Sequence, residues 1–148
     1  NREMSLSGLG HRFITFLVML LDSSRNELTI VNAGHLSPLL RRANGKIELL
    51  GREEANLPLG ILPDITYQEK TLSLAPGELI LSYTDGVTEA INKRREIFGR
   101  PRLEALLSKM NASVEETVTK VTDEVEAFGD DDLARDDTCI VALKRLAT

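Results

Sequence analysis

The apolar run Leu79-Ile80-Leu81-Ser82-Tyr83-Thr84 drives straight into Asp85-Gly86. Near the other end of the chain a second acidic pair, Asp136-Asp137, stands just before another strand-like run, Thr138 to Leu143. Carboxylates at two strand ends, distant in sequence, converge on one cation when the strands lie side by side. The pattern therefore asks for a sheet that brings these two runs together, and it points toward the chemistry of a hard divalent metal.

The remaining punctuation agrees with a sheet-rich first half. Phe13-Ile14-Thr15-Phe16-Leu17-Val18-Met19-Leu20-Leu21 is apolar with little alternation, so it reads as a strand buried on both faces. A helix is the competing reading, which the β-branched and aromatic content disfavours. Asp22-Ser23-Ser24-Arg25-Asn26 is a turn cluster, and Leu28 to Val31 reads as the return strand of a hairpin. Leu36 to Arg42 and Lys46 to Leu50 flank Asn44-Gly45, a strong hairpin signal whose primed turn needs positive φ at both residues. Pro58, Gly60 and Pro63-Asp64 mark a loop, Ile65 to Leu74 reads as a strand, and Ala75-Pro76-Gly77-Glu78 reads as a turn.

Helical spacing is confined to the second half. Pro101 suits a first helical position, with Leu103, Leu106, Leu107 and Met110 on one face. Ser113 and Glu116 have the spacing of a capping box. Val114, Val118, Val121, Val125 and Phe128 then form one apolar stripe, ended by Gly129. Residues 1–12 read as a loosely ordered lead-in, and residues 1–148 as a single domain.

A chain of 148 residues with 42% hydrophobic content is long enough for one domain with its own core. Its net charge of -5 argues against sequence-independent nucleic-acid binding, which needs a basic face. Arg41-Arg42 and Lys93-Arg94-Arg95 are the local basic clusters, and both read as solvated loop ends. Phe13 to Leu21 is shorter than the roughly 18 to 20 residues that span a bilayer, so no membrane insertion is expected. A secretory signal pattern is missing. Cys139 is the single cysteine, which rules out an internal disulfide and leads us to expect a small buried core residue and a reducing, cytoplasmic setting. The chain begins with Asn1 rather than Met, so sequence is expected upstream.

Asp85 has two readings, a turn residue in an Asp-Gly pair or a metal ligand. Asp136 and Asp137 either belong to a solvated acidic loop running from Asp130-Asp131-Asp132, or meet a cation. Two adjacent acids directly before a buried strand are costly unless something positive meets them. Hard oxygen ligands favour Mg²⁺ or Mn²⁺. His11 and His35 with one cysteine cannot build a four-ligand zinc site. His35, after Gly34, either holds a loop by hydrogen bonding or touches substrate, and His11 supports no role. Neither a phosphate-cradling P-loop nor a Gly-x-Ser-x-Gly elbow occurs, which leaves metal-assisted hydrolysis.

Taken in order, Asn32-Ala33-Gly34-His35, Leu57-Pro58-Leu59-Gly60, Leu74-Ala75-Pro76-Gly77-Glu78, Tyr83-Thr84-Asp85-Gly86-Val87-Thr88-Glu89-Ala90, Phe98-Gly99, Arg102-Leu103 and Asp136-Asp137-Thr138 form a specific set. The set resembles the bacterial branch of the PPM-type metal-dependent serine/threonine protein phosphatases, in the subgroup named for the sporulation stage II protein E. The similarity spans residues 13 to 145. It implies an α+β fold in which an antiparallel β-sandwich is flanked by helices. It also implies a two-metal site of Mn²⁺ or Mg²⁺, with Asp85 and Asp136 as metal ligands and Gly86 and Asp137 at or beside the metal. Its substrates are phosphoserine or phosphothreonine on regulatory proteins of the anti-sigma-factor antagonist type. The family's aspartate-bearing Gly-Asp-x-x-Gly-His/Lys-Gly-like segment, which supplies the bridging ligand, has no counterpart in residues 1–148. Ser7-Gly8-Leu9-Gly10-His11 has glycines and a histidine but no aspartate. The resemblance thus implies an N-terminally incomplete phosphatase domain without the first strands, a long helix and part of the metal site. Activity is then expected of the full-length protein rather than the isolated chain. The alternative is a phosphatase-like module that binds a signalling partner without catalysis. An incomplete sandwich leaves sheet edges open, so self-association of the fragment is expected.

Overall fold

The computed structural model describes residues 1–6, 12–130 and 136–146. His11, the glycine-bearing stretch before it and Asp131-Asp132 lie outside the described residues. The elements follow the order α1 (Arg2–Leu6), β1 (Phe16–Asp22), β2 (Glu27–Ala33), β3 (Leu39–Arg41), β4 (Ile47–Leu49), β5 (Glu69–Ser73), β6 (Leu79–Tyr83), α2 (Asp85–Thr88), α3 (Gly99–Lys109), α4 (Val114–Phe128) and β7 (Ile140–Lys144). The chain divides into two compact units, one of Asn1–Ser37 and Leu49–Leu74, the other of Pro38–Glu48 and Ala75–Thr148. The expected α+β class with antiparallel sheets and accompanying helices is what the chain forms.

The first unit holds a three-stranded antiparallel sheet in the order β1-β2-β5. The β1–β2 hairpin is closed by the Asp22 carboxylate, whose Oδ1 accepts from the Ser24 amide and hydroxyl and from the Arg25 amide. These hydrogen bonds hold Asp22 below the usual carboxylate range, the Ser24 hydroxyl contributing most. In the central strand β2, Leu28, Ile30 and Asn32 turn to the interior while the residues between them are half-buried. The expected double burial of Phe13 to Leu21 does not hold. β1 is the edge of its sheet, and Phe16, Val18 and Leu20 are 51%, 41% and 68% exposed. An unbroken apolar run shows that both faces want cover, but cover depends on a second neighbour, and among the described residues β2 is the one strand paired with β1. Within the lead-in, Arg2–Leu6 forms α1.

The second unit holds a four-stranded antiparallel sheet in the order β4-β3-β6-β7. All five residues of β6 are buried, as befits a central strand covered on both faces. The β3–β4 connection differs in detail from the primed turn expected at Asn44-Gly45. The Arg42 amide donates to the Lys46 carbonyl at 2.8 Å and the Gly45 amide to the Arg42 carbonyl at 2.9 Å. Gly45 has φ of +87° while Asn44 does not enter the left-handed region. This is the three-residue hairpin loop, in which one left-handed residue restores the strand twist.

Helix α3 packs on β3 and α4, and α4 on β7. Pro101 lies within the first turn of α3 rather than at its first residue, where its missing N–H again costs nothing. Leu103 and Leu107 are fully buried. The capping box of α4 forms as expected: the Glu116 amide donates to Ser113 Oγ at 3.1 Å and the Ser113 amide to Glu116 Oε2 at 2.9 Å. Phe128 meets Phe98 edge-on at 5.4 Å, and the Arg102 guanidinium lies 4.8 Å above the Phe128 ring. Arg41 and Arg42 are not solvated loop ends. Arg41 is buried and donates through Nε to the Leu107 carbonyl, while Arg42 pairs with Glu48 and with the buried Glu78. A guanidinium enters an interior when fixed acceptors meet its planar donors, which a count of charges along the chain does not reveal.

Candidate functional site

The β6–β7 pairing places the two acidic segments side by side. The register runs from Leu79 opposite Lys144 to Tyr83 opposite Ile140. Thr84 extends it by one step, its amide donating to the Cys139 carbonyl at 3.1 Å. Immediately beyond, the chain turns into α2, with the Val87 amide bonded to the Thr84 carbonyl and the Glu89 amide to the Asp85 carbonyl. Asp85 thus sits in the first turn of a short helix directly after a buried strand, and its Oδ1 accepts from the Gly86 amide at 3.1 Å. Asp136 Oδ1 likewise accepts from the Asp137 amide at 2.9 Å.

Gly86 is the point of closest approach. A Cβ at this position would stand 2.7 Å from the Asp137 carbonyl oxygen and 2.8 Å from that of Asp136. Both contacts are with backbone, so no side chain can rotate away to make room. The hydrogen-only side chain is what lets the Asp136-Asp137 segment lie over the start of α2. A cavity of about 590 Å³ opens beside this contact, bordered by Gly86, Glu89, Ile91, Val118, Val125 and Asp136.

Two sequence expectations for this region need correction. Asp136 and Asp137 are exposed, so water rather than an obligatory cation can meet their charge, and the cost of burial that favoured a metal does not arise. Cys139 is exposed rather than buried. It precedes β7, one of the two edge strands of its sheet, and an edge leaves residues of an apolar run uncovered in a way the run itself cannot disclose.

His35 belongs to the first unit and is described with it. The buried Asn32 grips its backbone twice, Oδ1 accepting from the His35 amide at 2.8 Å and Nδ2 donating to the His35 carbonyl at 3.0 Å. Its Nδ1 lies 3.2 Å from Thr15 Oγ1. Gly34, with φ of +71°, packs so tightly on Pro58 that a Cβ would fall 2.4 Å from the proline ring. The segments Asn32 to His35 and Leu57 to Gly60, separate in sequence, are thereby one contact in space.

Carboxylate and backbone carbonyl oxygens suit a hard cation. Among the described residues, however, no group of three or more His, Cys, Asp and Glu side chains is placed to hold one. Asp85 and Asp136 by themselves do not make a complete ligand set. The residue that sequence reasoning passed over is Thr84. Its hydroxyl joins the two acidic segments, donating to the Asp137 carbonyl and accepting from the Cys139 amide, both at 2.9 Å. A hydroxyl residue between a buried strand and the acid that follows it was the signal available.

The family described as Stage II sporulation protein E matches residues 1–146. Among curated relatives, Protein IcfG of Synechocystis is 29% identical over 133 residues, covering 90% of this chain and 21% of the relative. Phosphoserine phosphatase RsbU of Bacillus subtilis is 28% identical over 146 residues, covering 98% of this chain and 43% of the relative. The chain thus spans less than half the length of these relatives. Among solved structures, the SiaA-PP2C domain of Pseudomonas aeruginosa superposes with a TM-score of 0.79 at 21% identity, over 97% of this chain and 56% of that one. The phosphatase domain of SpoIIE from Bacillus subtilis gives 0.69 at 18% identity, over 91% and 57%. The fold is that of PP2C-type phosphatases. No helix among the described residues is long and apolar enough to cross a membrane.

Proposed function

Because this chain belongs to the SpoIIE family of PP2C-type phosphatases, we propose that the complete polypeptide hydrolyses phosphoserine or phosphothreonine on a regulatory protein, using Mn²⁺ or Mg²⁺. The observation that carries this reading is the contact between the Asp85-Gly86 turn and the Asp136-Asp137 segment, made at the ends of paired strands. When bound, the metal supplies an acidified, positioned water for attack on phosphorus. Asp85 and Asp136 are the residues of this chain that hold it, with Gly86 and Asp137 shaping the gap between them. Further ligands would come from outside the described residues, which offer no group of three. His35 serves its own loop, through the Asn32 clamp.

The ordered motifs favour a phosphorylated anti-sigma-factor antagonist as substrate, and a cytoplasmic setting suits the free thiol of Cys139. The name of RsbU, a phosphoserine phosphatase, supports the same bond type. The test is turnover of a phosphorylated antagonist domain by the complete polypeptide with Mn²⁺. Asp85→Asn and Asp136→Asn each abolish it on this reading, and full turnover in both variants overturns it.

A second reading, a phosphatase-like module that binds a signalling partner without hydrolysis, is favoured by the incomplete ligand set. Capture of an antagonist-like domain by the complete polypeptide, with no Mn²⁺ uptake in isothermal titration, selects it over the enzyme.

A further inference from the structure

The segment from Asp136 to Cys139 is exposed and belongs to no strand or helix. Three hydrogen bonds tie it to the end of β6, and all three pass through Thr84. The Thr84 amide donates to the Cys139 carbonyl at 3.1 Å. The Thr84 hydroxyl accepts from the Cys139 amide at 2.9 Å and donates to the Asp137 carbonyl at 2.9 Å. A threonine hydroxyl carries one donor and two lone pairs, so it fills both roles at once. The Asp137 carbonyl is thereby drawn to the residue that directly precedes Asp85, and Gly86 leaves the space into which it is drawn.

We propose that Thr84 is a positioning residue of the phosphatase site: its hydroxyl sets where Asp136 stands relative to Asp85. The inference rests on the phosphatase reading given above. Asp85 follows Thr84 by one peptide bond, and Asp136 precedes the accepting residue Asp137 by one. One short path between the two carboxylates therefore runs through the Thr84 hydroxyl, beside the backbone bond from the Thr84 amide to the Cys139 carbonyl. Groups that orient ligands in this way typically change metal affinity or activity by about 10 to 100-fold when removed. Threonine and valine have nearly the same shape, so Thr84→Val removes the hydroxyl with little change in volume. Thr84→Ser keeps the hydroxyl and removes only a methyl group.

The test uses the complete polypeptide in three forms: wild type, Thr84→Val and Thr84→Ser. Amide hydrogen exchange at Cys139 reports the hydrogen bond itself, and Mn²⁺ binding followed by electron paramagnetic resonance reports the carboxylate geometry. Thr84→Val is expected to accelerate exchange at Cys139 and to weaken Mn²⁺ binding by about tenfold or more, with Thr84→Ser close to wild type in both. Accelerated exchange with unchanged Mn²⁺ affinity in Thr84→Val overturns the positioning role and leaves the phosphatase reading standing. Equal Mn²⁺ loss in Thr84→Val and Thr84→Ser also overturns it, because the hydroxyl is then irrelevant. A wild-type protein that takes up no Mn²⁺ overturns the metal-dependent reading and this inference with it.

Discussion

Gly86 lies so close to Asp136 that a methyl group on its Cα would stand 2.8 Å from the Asp136 carbonyl oxygen. The two residues are brought together by one antiparallel strand pair, β6 with β7, whose register continues through Thr84 opposite Cys139. Gly86→Ala must push the Asp136-Asp137 segment away from α2, because the obstructing atoms are backbone. In the complete polypeptide we expect Mn²⁺-dependent phosphatase activity to fall by at least about tenfold, while the melting temperature drops by only a few degrees. Steady-state kinetics alongside a thermal scan checks this. Unchanged kinetics would remove the contact from the site.

The exposed face of β1 predicts association. Phe16, Val18 and Leu20 stand open on an edge strand whose outer backbone groups are a template for pairing. The 148-residue chain prepared alone should form dimers or larger species at micromolar concentration. Leu20→Lys, at the most exposed of these positions, should reduce that association. Light scattering of the two proteins decides the matter, and a strictly monomeric wild-type fragment counts against it.

The capping box of α4 gives a stability prediction independent of the site. Ser113→Ala leaves the Glu116 amide without its acceptor and should cost about 0.5–2 kcal/mol. Urea unfolding followed by circular dichroism measures the loss. No change in the midpoint would show that water replaces the cap without cost.

The Glu48 carboxylate gives a pH prediction. Its hydrogen bond to Arg42, and next that to Lys46, hold it below the ordinary glutamate value of 4.5. Because the folded-state pKa is depressed, the contribution to stability is fully present above that ordinary value and is lost as pH falls through the folded one. Glu48→Gln should therefore lower the melting temperature at pH 7, and the gap from wild type should narrow below pH of about 4. A gap independent of pH would assign the loss to packing.

Much of the fold was legible because its signals are local. The capping box at Ser113 and Glu116, the apolar stripe of α4, the hairpin at Gly45 and the buried run of β6 each depend on residues within a few positions of one another. The ordered motifs also identified the family, which residues 1–146 match. The fine form of the Asn44-Gly45 turn was not legible, since one left-handed residue and two give the same dipeptide signal.

What local pattern could not supply is the set of neighbours each segment meets. The apolar composition of Phe13 to Leu21 shows a demand for burial but not whether a second strand meets it, and β1 turns out to be an edge. Arg41 and Arg42 were indistinguishable from solvated charge until the Leu107 carbonyl, Glu48 and Glu78 were placed beside them. Cys139 sits in an apolar run yet is exposed, because burial is a property of the surroundings and not of the run. The sequence by itself determined that Asp85 and Asp136 stand at the ends of two strand-like runs. Only the tertiary structure decided that those strands are neighbours, that Gly86 lets their ends touch, and that the hydroxyl of Thr84 joins them. Strand pairing across more than fifty residues and hydrogen bonds between distant groups are set by how the whole chain packs, and no short window of sequence contains them.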